Sequence, residues 1–540
     1  MRADRVLYNG TIHTLNPHQP AASAIAISGE RILALGDDPT MRQALAPGGE
    51  AVDLGGRLVV PGLTDAHVHL IWFTDIMHAV DLTGAASAEE VVGRVAERAA
   101  QTPADAWVRG RGWAQDDWDD PAFPTAAQLD AAVPGHPVFL TARSGHAAWV
   151  NSAALKRANV TASTPDPPGG QFQRDERGNP TGLLLEEALK IVQAIIPAPT
   201  PGQLAAMMRE ALAAAHRVGL TGVHDFDGAA CFQALQILHA RGDLSLRVVK
   251  NVPVELLDHA VALGLRWGFG DDTLRVGGVK TFADGALGVR TAALLAPYEG
   301  EPDNLGIVVT DKEEIVENVR KASAAGLPST VHAIGDRAVH DVLDVFQTVR
   351  ALEREWGVPT DRLRHRIEHV QLIHPDDVPR LAQLGIVASM QPIHATSDML
   401  MADRYWGQRA AYSYGWRLQL EAGAVLALGS DAPVEPINPL YGIHAAVTRR
   451  RRDGSPGPDG WRSHQPAGDA RLTVEEALRG FTQGPAYAAG LDDRLGTLAP
   501  GYLADLVVLD RDIFAVDPME IAETQPLGVM VGGSWVLRDL

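Results

Sequence analysis

Over residues 1–56 apolar and polar positions alternate, in Arg5-Val6-Leu7-Tyr8-Asn9-Gly10-Thr11-Ile12, in Ala24-Ile25-Ala26-Ile27 and, past the turn Ser28-Gly29-Glu30-Arg31, in Ile32-Leu33-Ala34-Leu35. A period of two sends every second side chain to one face, so these runs are strands, and the glycine-bearing turns join them as hairpins. Residues 491–540 share the rhythm, at 504–509 and 529–537. Neither cluster buries enough to stand alone, which predicts one small β-sandwich built from both termini. Between them, at 57–490, strand-like and helical runs alternate, the order of a parallel α/β barrel of the (β/α)8 TIM type. The eight strands are read at 59–69, 221–226, 246–252, 276–282, 329–334, 364–370, 386–391 and 425–430, with helices such as 201–212 and 474–478 between or after them. A crossover in such a barrel needs only about a dozen residues. The stretch 71–200 is therefore an insertion after strand one, and its tryptophans and prolines read as a lid subdomain. The arginines of 449–452 read as solvated, in a mobile loop after strand eight.

The candidate chemistry sits at the ends of these strands. Strand one ends in Asp65-Ala66-His67-Val68-His69. In extended backbone residues i and i+2 share a face and lie about 6.6 Å apart, so two imidazoles so placed can grip one cation. His332 closes strand five, His369 closes strand six in Ile367-Glu368-His369, and Asp431 follows strand eight in Gly429-Ser430-Asp431-Ala432-Pro433. Strand four carries Lys280 where an apolar residue belongs. Singly, each has a plainer explanation: a histidine satisfied by backbone, an aspartate capping the next helix, a lysine turned to solvent. Together they are too many coincidences, because a barrel brings the carboxyl ends of its strands to one face. Oxygen and imidazole donors suit Zn²⁺ and leave Mn²⁺, Fe²⁺, Co²⁺ and Ni²⁺ open.

The order of these residues resembles the amidohydrolase superfamily over nearly the whole chain. Val279-Lys280-Thr281-Phe282-Ala283-Asp284-Gly285, His332-Ala333-Ile334-Gly335-Asp336, Ser389-Met390-Gln391-Pro392, Arg111-Gly112-Trp113 and Ser144-Gly145-His146-Ala147 look like its amidohydrolase-3 branch, which includes YtcJ-like proteins and N-substituted formamide deformylases. The resemblance implies two divalent metal ions. His67, His69 and Asp431 would hold one, His332 and His369 the other, and a CO₂-derived carboxylated Lys280 would bridge them. The alternative is a single ion with Lys280 unmodified and salt-bridged. A hydroxide shared by two ions would be the nucleophile, since bound cations lower the pKa of water to about 7. Asp431 would carry the proton to the leaving amine. Trp113, His146, Asp284, Arg290 and Gln391 are the candidates for substrate contact.

Composition narrows the partner. Hydrophobic residues make up 46% of the 540 and charged residues 21%, as in a globular protein with a large core. A formal net charge of -20 argues against nucleic acid, whose phosphates need a basic face. The one cysteine, Cys231, makes no intrachain disulfide and sits in a helical apolar run, the pattern of a buried thiol. No apolar run reaches the roughly 20 residues needed to span a bilayer, and Met1 to Leu7 holds no secretory core, so a cytoplasmic protein is expected. The expected activity is hydrolysis of an amide or formamide-type C–N bond in a small molecule. The alternatives are an ester, a lactone, a carbon–halogen bond or a ring amine opened by the same metals, or a metal-binding regulatory protein without turnover. A homodimer is compatible with the resemblance, although the sequence locates no surface for one.

Overall fold

The computed structural model describes residues 2–118, 120, 122–466 and 468–540, and the chain divides into two compact units, one of residues 1–71 with 208–540 and one of 72–207. The first contains an eight-stranded sheet in sequential order. Its strands are β1 (Leu63–Val68), β2 (Leu220–Asp225), β3 (Arg247–Pro253), β4 (Leu274–Phe282), β5 (Ser329–Ala333), β6 (Arg366–His369), β7 (Val387–Met390) and β8 (Leu426–Leu428). Every neighbouring pair resolved is parallel, and a parallel bridge from Val68 to Ala432 brings the exit of β8 to β1, nearly closing the barrel. Strands covered on both faces have no polar alternation, and β2, β5, β6, β7 and β8 are buried at every position.

The run read as one strand over 59–69 is two. Leu58–Pro61 pairs antiparallel with Leu506–Leu509, and only Leu63–Val68 enters the barrel. The break falls at Gly62, whose N–H donates to Asp505 O at 2.9 Å; a Cβ there would lie 2.4 Å from Thr221 Oγ1. An unbroken run hides such a break, because Leu58–Pro61 is buried throughout and Leu63–Val68 at every position but Thr64.

Beside the barrel, Leu58–Pro61, Thr11–His13 and Ala21–Ala22 join Leu506–Leu509, Pro526–Val531 and Ser534–Arg538 in a mixed six-stranded sheet. A second sheet orders Arg31–Gly36, Ala24–Ser28, Ala3–Tyr8 and Leu45–Asp53. Leu7, Ile25, Ile27, Val59, Leu506, Val508 and Met530 fill a common core. Arg247 of β3 meets Asp505 in a buried two-pronged ion pair, Nε to Oδ2 at 2.6 Å and a terminal nitrogen to Oδ1 at 2.8 Å.

Three helices of this unit matter for the site: α1 (Asp336–Glu355) after β5, α2 (Pro392–Trp406) after β7 and α3 (Pro439–Thr448) after β8. Of the arginines after α3, Arg452 is exposed and Arg450 and Arg451 are half-buried, but Arg449 is not solvated. Arg449 is fully buried, its guanidinium over the rings of Trp416 and Trp461 at 4.4 and 5.2 Å and donating to the carbonyls of Trp461 and Tyr414. Cys231 is buried within the helix Ala229–Ala240.

The unit of residues 72–207 is built on a six-stranded sheet, in the order Gly170–Arg174, Pro180–Glu186, Ala147–Val150, Val138–Ala142, Val108–Trp113 and Val80–Asp81. Trp113, Trp118 and Trp149 pack together in its core. Among the described residues no helix is long and apolar enough to cross a membrane.

Candidate metal centre

The exits of β1, β4, β5, β6 and β8 deliver His67, His69, Lys280, His332, His369 and Asp431 to one end of the barrel. Asp431 stands at the middle. One carboxylate oxygen, Oδ1, lies 3.6 Å from His67 Nε2 and 3.5 Å from His69 Nε2, and the three side chains' ligand atoms lie within 4.8 Å of one another. The rings of His67 and His369 are 5.0 Å apart and those of His369 and His332 4.5 Å. The Lys280 ammonium lies over Phe226 and Phe282 at 4.6 and 4.8 Å and, among the described residues, reaches no carboxylate within ion-pair distance.

Local backbone explains the convergence. His369, Val370 and Asp431 take positive φ of 78°, 44° and 60°, a region that costs a side-chain-bearing residue about 1–3 kcal/mol. The strain is held by backbone bonds across the barrel mouth, from Asp431 N–H to His67 O at 2.8 Å, His69 N–H to Ala432 O at 2.8 Å and Val370 N–H to Ala333 O at 3.1 Å. Asp65 completes the clamp by accepting from the N–H groups of His67 and Ser430 and from the Ser430 hydroxyl. At Gly429 a Cβ would fall 2.5 Å from Asp65 Oδ1 and 2.7 Å from the His67 nitrogen, so only glycine lets β8 approach β1.

Each imidazole has one nitrogen committed to an acceptor outside the cluster. His67 Nδ1 meets Glu368 Oε2 at 2.6 Å, His69 Nδ1 meets Asp227 Oδ1 at 3.0 Å and His369 Nδ1 meets Gln391 Oε1 at 2.8 Å. These acceptors place the proton on Nδ1 and turn the Nε2 lone pair inward, the arrangement that orients histidine toward a metal. His332 is reversed: Nε2 donates to Gly285 O at 3.1 Å, leaving Nδ1 for a ligand. Among the described residues the buried Nε2 of His67 has no hydrogen-bond partner. A buried polar atom left so is costly unless something electropositive fills its place, and a cation held by imidazole and carboxylate donors fits it.

The electrostatics divide the cluster. Burial, helped by the Lys280 charge, holds His67 down to about 4 and His332 down to about 3, so both are the neutral imidazoles that a metal requires. Burial likewise lowers Lys280 to about 8. His69 goes the other way: burial opposes its charge, but Asp227 and Asp431 lift it to about 9. Asp431 is held well below the usual carboxylate range, since His67, His394 and His69 outweigh its burial. Burial thus works against positive charge on His67, His332 and Lys280, while the carboxylates of Asp227 and Asp431 favour it on His69.

Of the five residues picked for substrate contact, Gln391 backs His369. Asp284 is buried, accepts the N–H groups of Ala293, Ile334 and Gly335, and lies 3.6 Å from His332 Nε2. Arg290 pairs with Glu301 at 2.7 Å and lies over Tyr405. In the other unit, Trp113 is wholly enclosed, its indole N–H donating to Leu140 O, and His146 is exposed and paired with Glu186. Glu368, Asp227 and His394 are not among the residues picked from sequence. Glu368 lay in the open beside His369, and His394 stands three residues beyond Gln391, on the first turn of α2.

A strained parallel barrel that gathers histidines, a lysine and an aspartate at its carboxyl end defines a class, the metal-dependent barrel hydrolases. The sequence profile of the amidohydrolase family matches residues 50–537, and the chain belongs to that family. It is 35% identical to the protein LONG AFTER FAR-RED 3 of Arabidopsis thaliana, over 98% of this chain and 91% of that one. It is 30% identical to the N-substituted formamide deformylase of Arthrobacter pascens, over 99% and 98% of the two chains. Among solved structures, an uncharacterized metal-dependent hydrolase from Pyrococcus furiosus superposes with a TM-score of 0.78 at 33% identity, covering 94% of this chain and 99% of that one.

Proposed function

We propose that the chain hydrolyses an amide or formamide-type C–N bond of a small molecule. The observation that carries this reading is the Asp431 carboxylate set between inward-facing imidazoles at the barrel mouth, in a chain with a formamide deformylase among its full-length relatives. His67, His69 and Asp431 would hold one divalent ion, His332 and His369 a second, with zinc the metal their donors suit best. Such ions, when bound, supply a nucleophile from water at neutral pH and polarise the scissile carbonyl.

The chain's own residues do the rest. Asp431, ionised and buried, takes the proton of the attacking water and returns it to the departing nitrogen, which leaves as an amine. Glu368, Asp227 and Gln391 keep three imidazoles in the ligating tautomer. Lys280, held down to about 8, is neutral in about one molecule in ten at pH 7, against about one in 2500 for an ordinary lysine. That neutral amine can add CO₂, and the resulting carbamate turns a cation among ligands into a pair of anionic oxygens. The absence of any carboxylate partner for Lys280 among the described residues supports the modified form.

The test is a panel of N-substituted formamides, other amides, esters, lactones and ring amines offered to the zinc-loaded protein, with amine release read by mass spectrometry. Turnover of formamides or amides that falls by about 10²–10⁴ in Asp431→Asn is expected. Turnover of esters, lactones or ring amines alone would overturn the bond assigned, and a fully loaded protein inert to the whole panel would overturn the activity.

A further inference from the structure

The cluster contains a histidine that the ligand set above leaves out. His394, on the first turn of α2, is buried and points its Nε2 at the second carboxylate oxygen of Asp431, Oδ2, at 3.4 Å. Its ring lies 6.1 Å from that of His369, and ligand atoms of His369, His394 and Asp431 lie within 4.8 Å of one another. We infer that His394 is a ligand of the metal centre, holding with His369 and Asp431 Oδ2 a cation position beside the one framed by His67, His69 and Asp431 Oδ1. The inference rests on the metal-dependent reading and goes beyond its ligand set.

Two observations favour a ligand over a salt-bridge partner. First, spacing. Two donors about 2.0–2.2 Å from one tetrahedral ion stand about 3.3–3.6 Å apart. The three Nε2-to-Asp431 distances, 3.6, 3.5 and 3.4 Å for His67, His69 and His394, fall at that spacing and beyond a good hydrogen bond. Second, architecture. Like His67, His69 and His369, His394 turns Nε2 toward the cluster and Nδ1 away from it, here toward Glu435 Oε1 at 3.6 Å, beyond hydrogen-bond distance. Asp431 presents one oxygen to each triad.

The test is metal content per chain after dialysis against zinc, together with the d–d absorption of the cobalt-substituted protein. Wild type, His394→Ala, His394→Gln and Glu435→Gln are compared, each checked for an unchanged melting profile. Glutamine keeps a donor for Asp431 but cannot replace an imidazole. The expected result is that both His394 variants lose about one ion per chain and shift the cobalt spectrum, and that Glu435→Gln keeps the site but binds one ion about 10–100-fold more weakly by chelator competition. Wild-type metal content and spectrum in all three variants would overturn the inference and leave the wider reading standing. Metal lost with alanine but restored with glutamine would overturn it too, because His394 would then only hold Asp431. Should wild type itself retain no metal, the metal-dependent reading falls and takes this one with it.

Discussion

At the scale of single residues, the centre depends on protons kept in the right place. Glu368 is the clearest case. It is fully buried, accepts from His67 Nδ1, and is itself neutralised by the guanidinium of Arg366, whose Nε lies 2.5 Å from Oε1. Glutamine at 368 has the same shape but no charge, and its NH₂ can turn toward His67 and favour the wrong tautomer. Glu368→Gln should weaken zinc binding about 10–100-fold with little change in fold, as measured by chelator competition and circular dichroism. Unchanged affinity would show that His67 needs no anionic partner. His67 and His69 could be found from the sequence because strand geometry sends residues i and i+2 the same way, and Lys280, His332, His369 and Asp431 because each stands at a strand end in the order of the amidohydrolase pattern. His394 could not, since its approach to Asp431 is set by how α2 lands after Pro392, and no local pattern records that.

At the scale of elements, the barrel holds its strand ends in register through buried polar ties that run from helix to strand. Glu353, on the last turn of α1, pairs with Arg350 at 2.7 Å and with His365 Nε2 at 2.9 Å, just before β6. His365 Nδ1 in turn accepts the N–H of Ser329 at the start of β5. Burial would raise the Glu353 carboxyl, but His365 and Arg350 hold it down to about 2. A carboxyl depressed from 4.5 contributes stability that is present above pH 4.5 and lost as the pH falls toward about 2. The melting temperature gap between wild type and Glu353→Gln should therefore shrink between pH 5 and pH 3. A gap that stays constant over that interval would mean the carboxylate charge contributes nothing. Helix and strand order was legible because buried parallel strands are continuous apolar runs. The polar ties were not, because Glu353, His365 and Ser329 are distant in sequence and each has an ordinary surface reading.

At the scale of the whole molecule, the barrel and the strands beside it share one buried charge pair. Arg247 and Asp505 are both almost fully enclosed, and Asp505 also accepts the Gly532 N–H at 2.8 Å. Replacing Arg247 with methionine leaves a buried carboxylate without its cation, at a cost of about 3–5 kcal/mol. That loss should appear as a lower denaturation midpoint, and Arg247→Met with Asp505→Leu should recover most of it. A double variant no better than the single one would show that the pair is not the tie.

The interleaving of early and late strands in one sheet also sets an order of events at the ribosome. Leu58–Pro61 is synthesised long before Leu506–Leu509, its antiparallel neighbour, so the nascent polypeptide carries an open, wholly apolar strand edge for most of translation. Closure of that edge waits for residues 506–509, and a product that stops short of residue 506 lacks the strand that covers it. It is then a substrate for chaperones and proteases, whatever the state of the barrel already made.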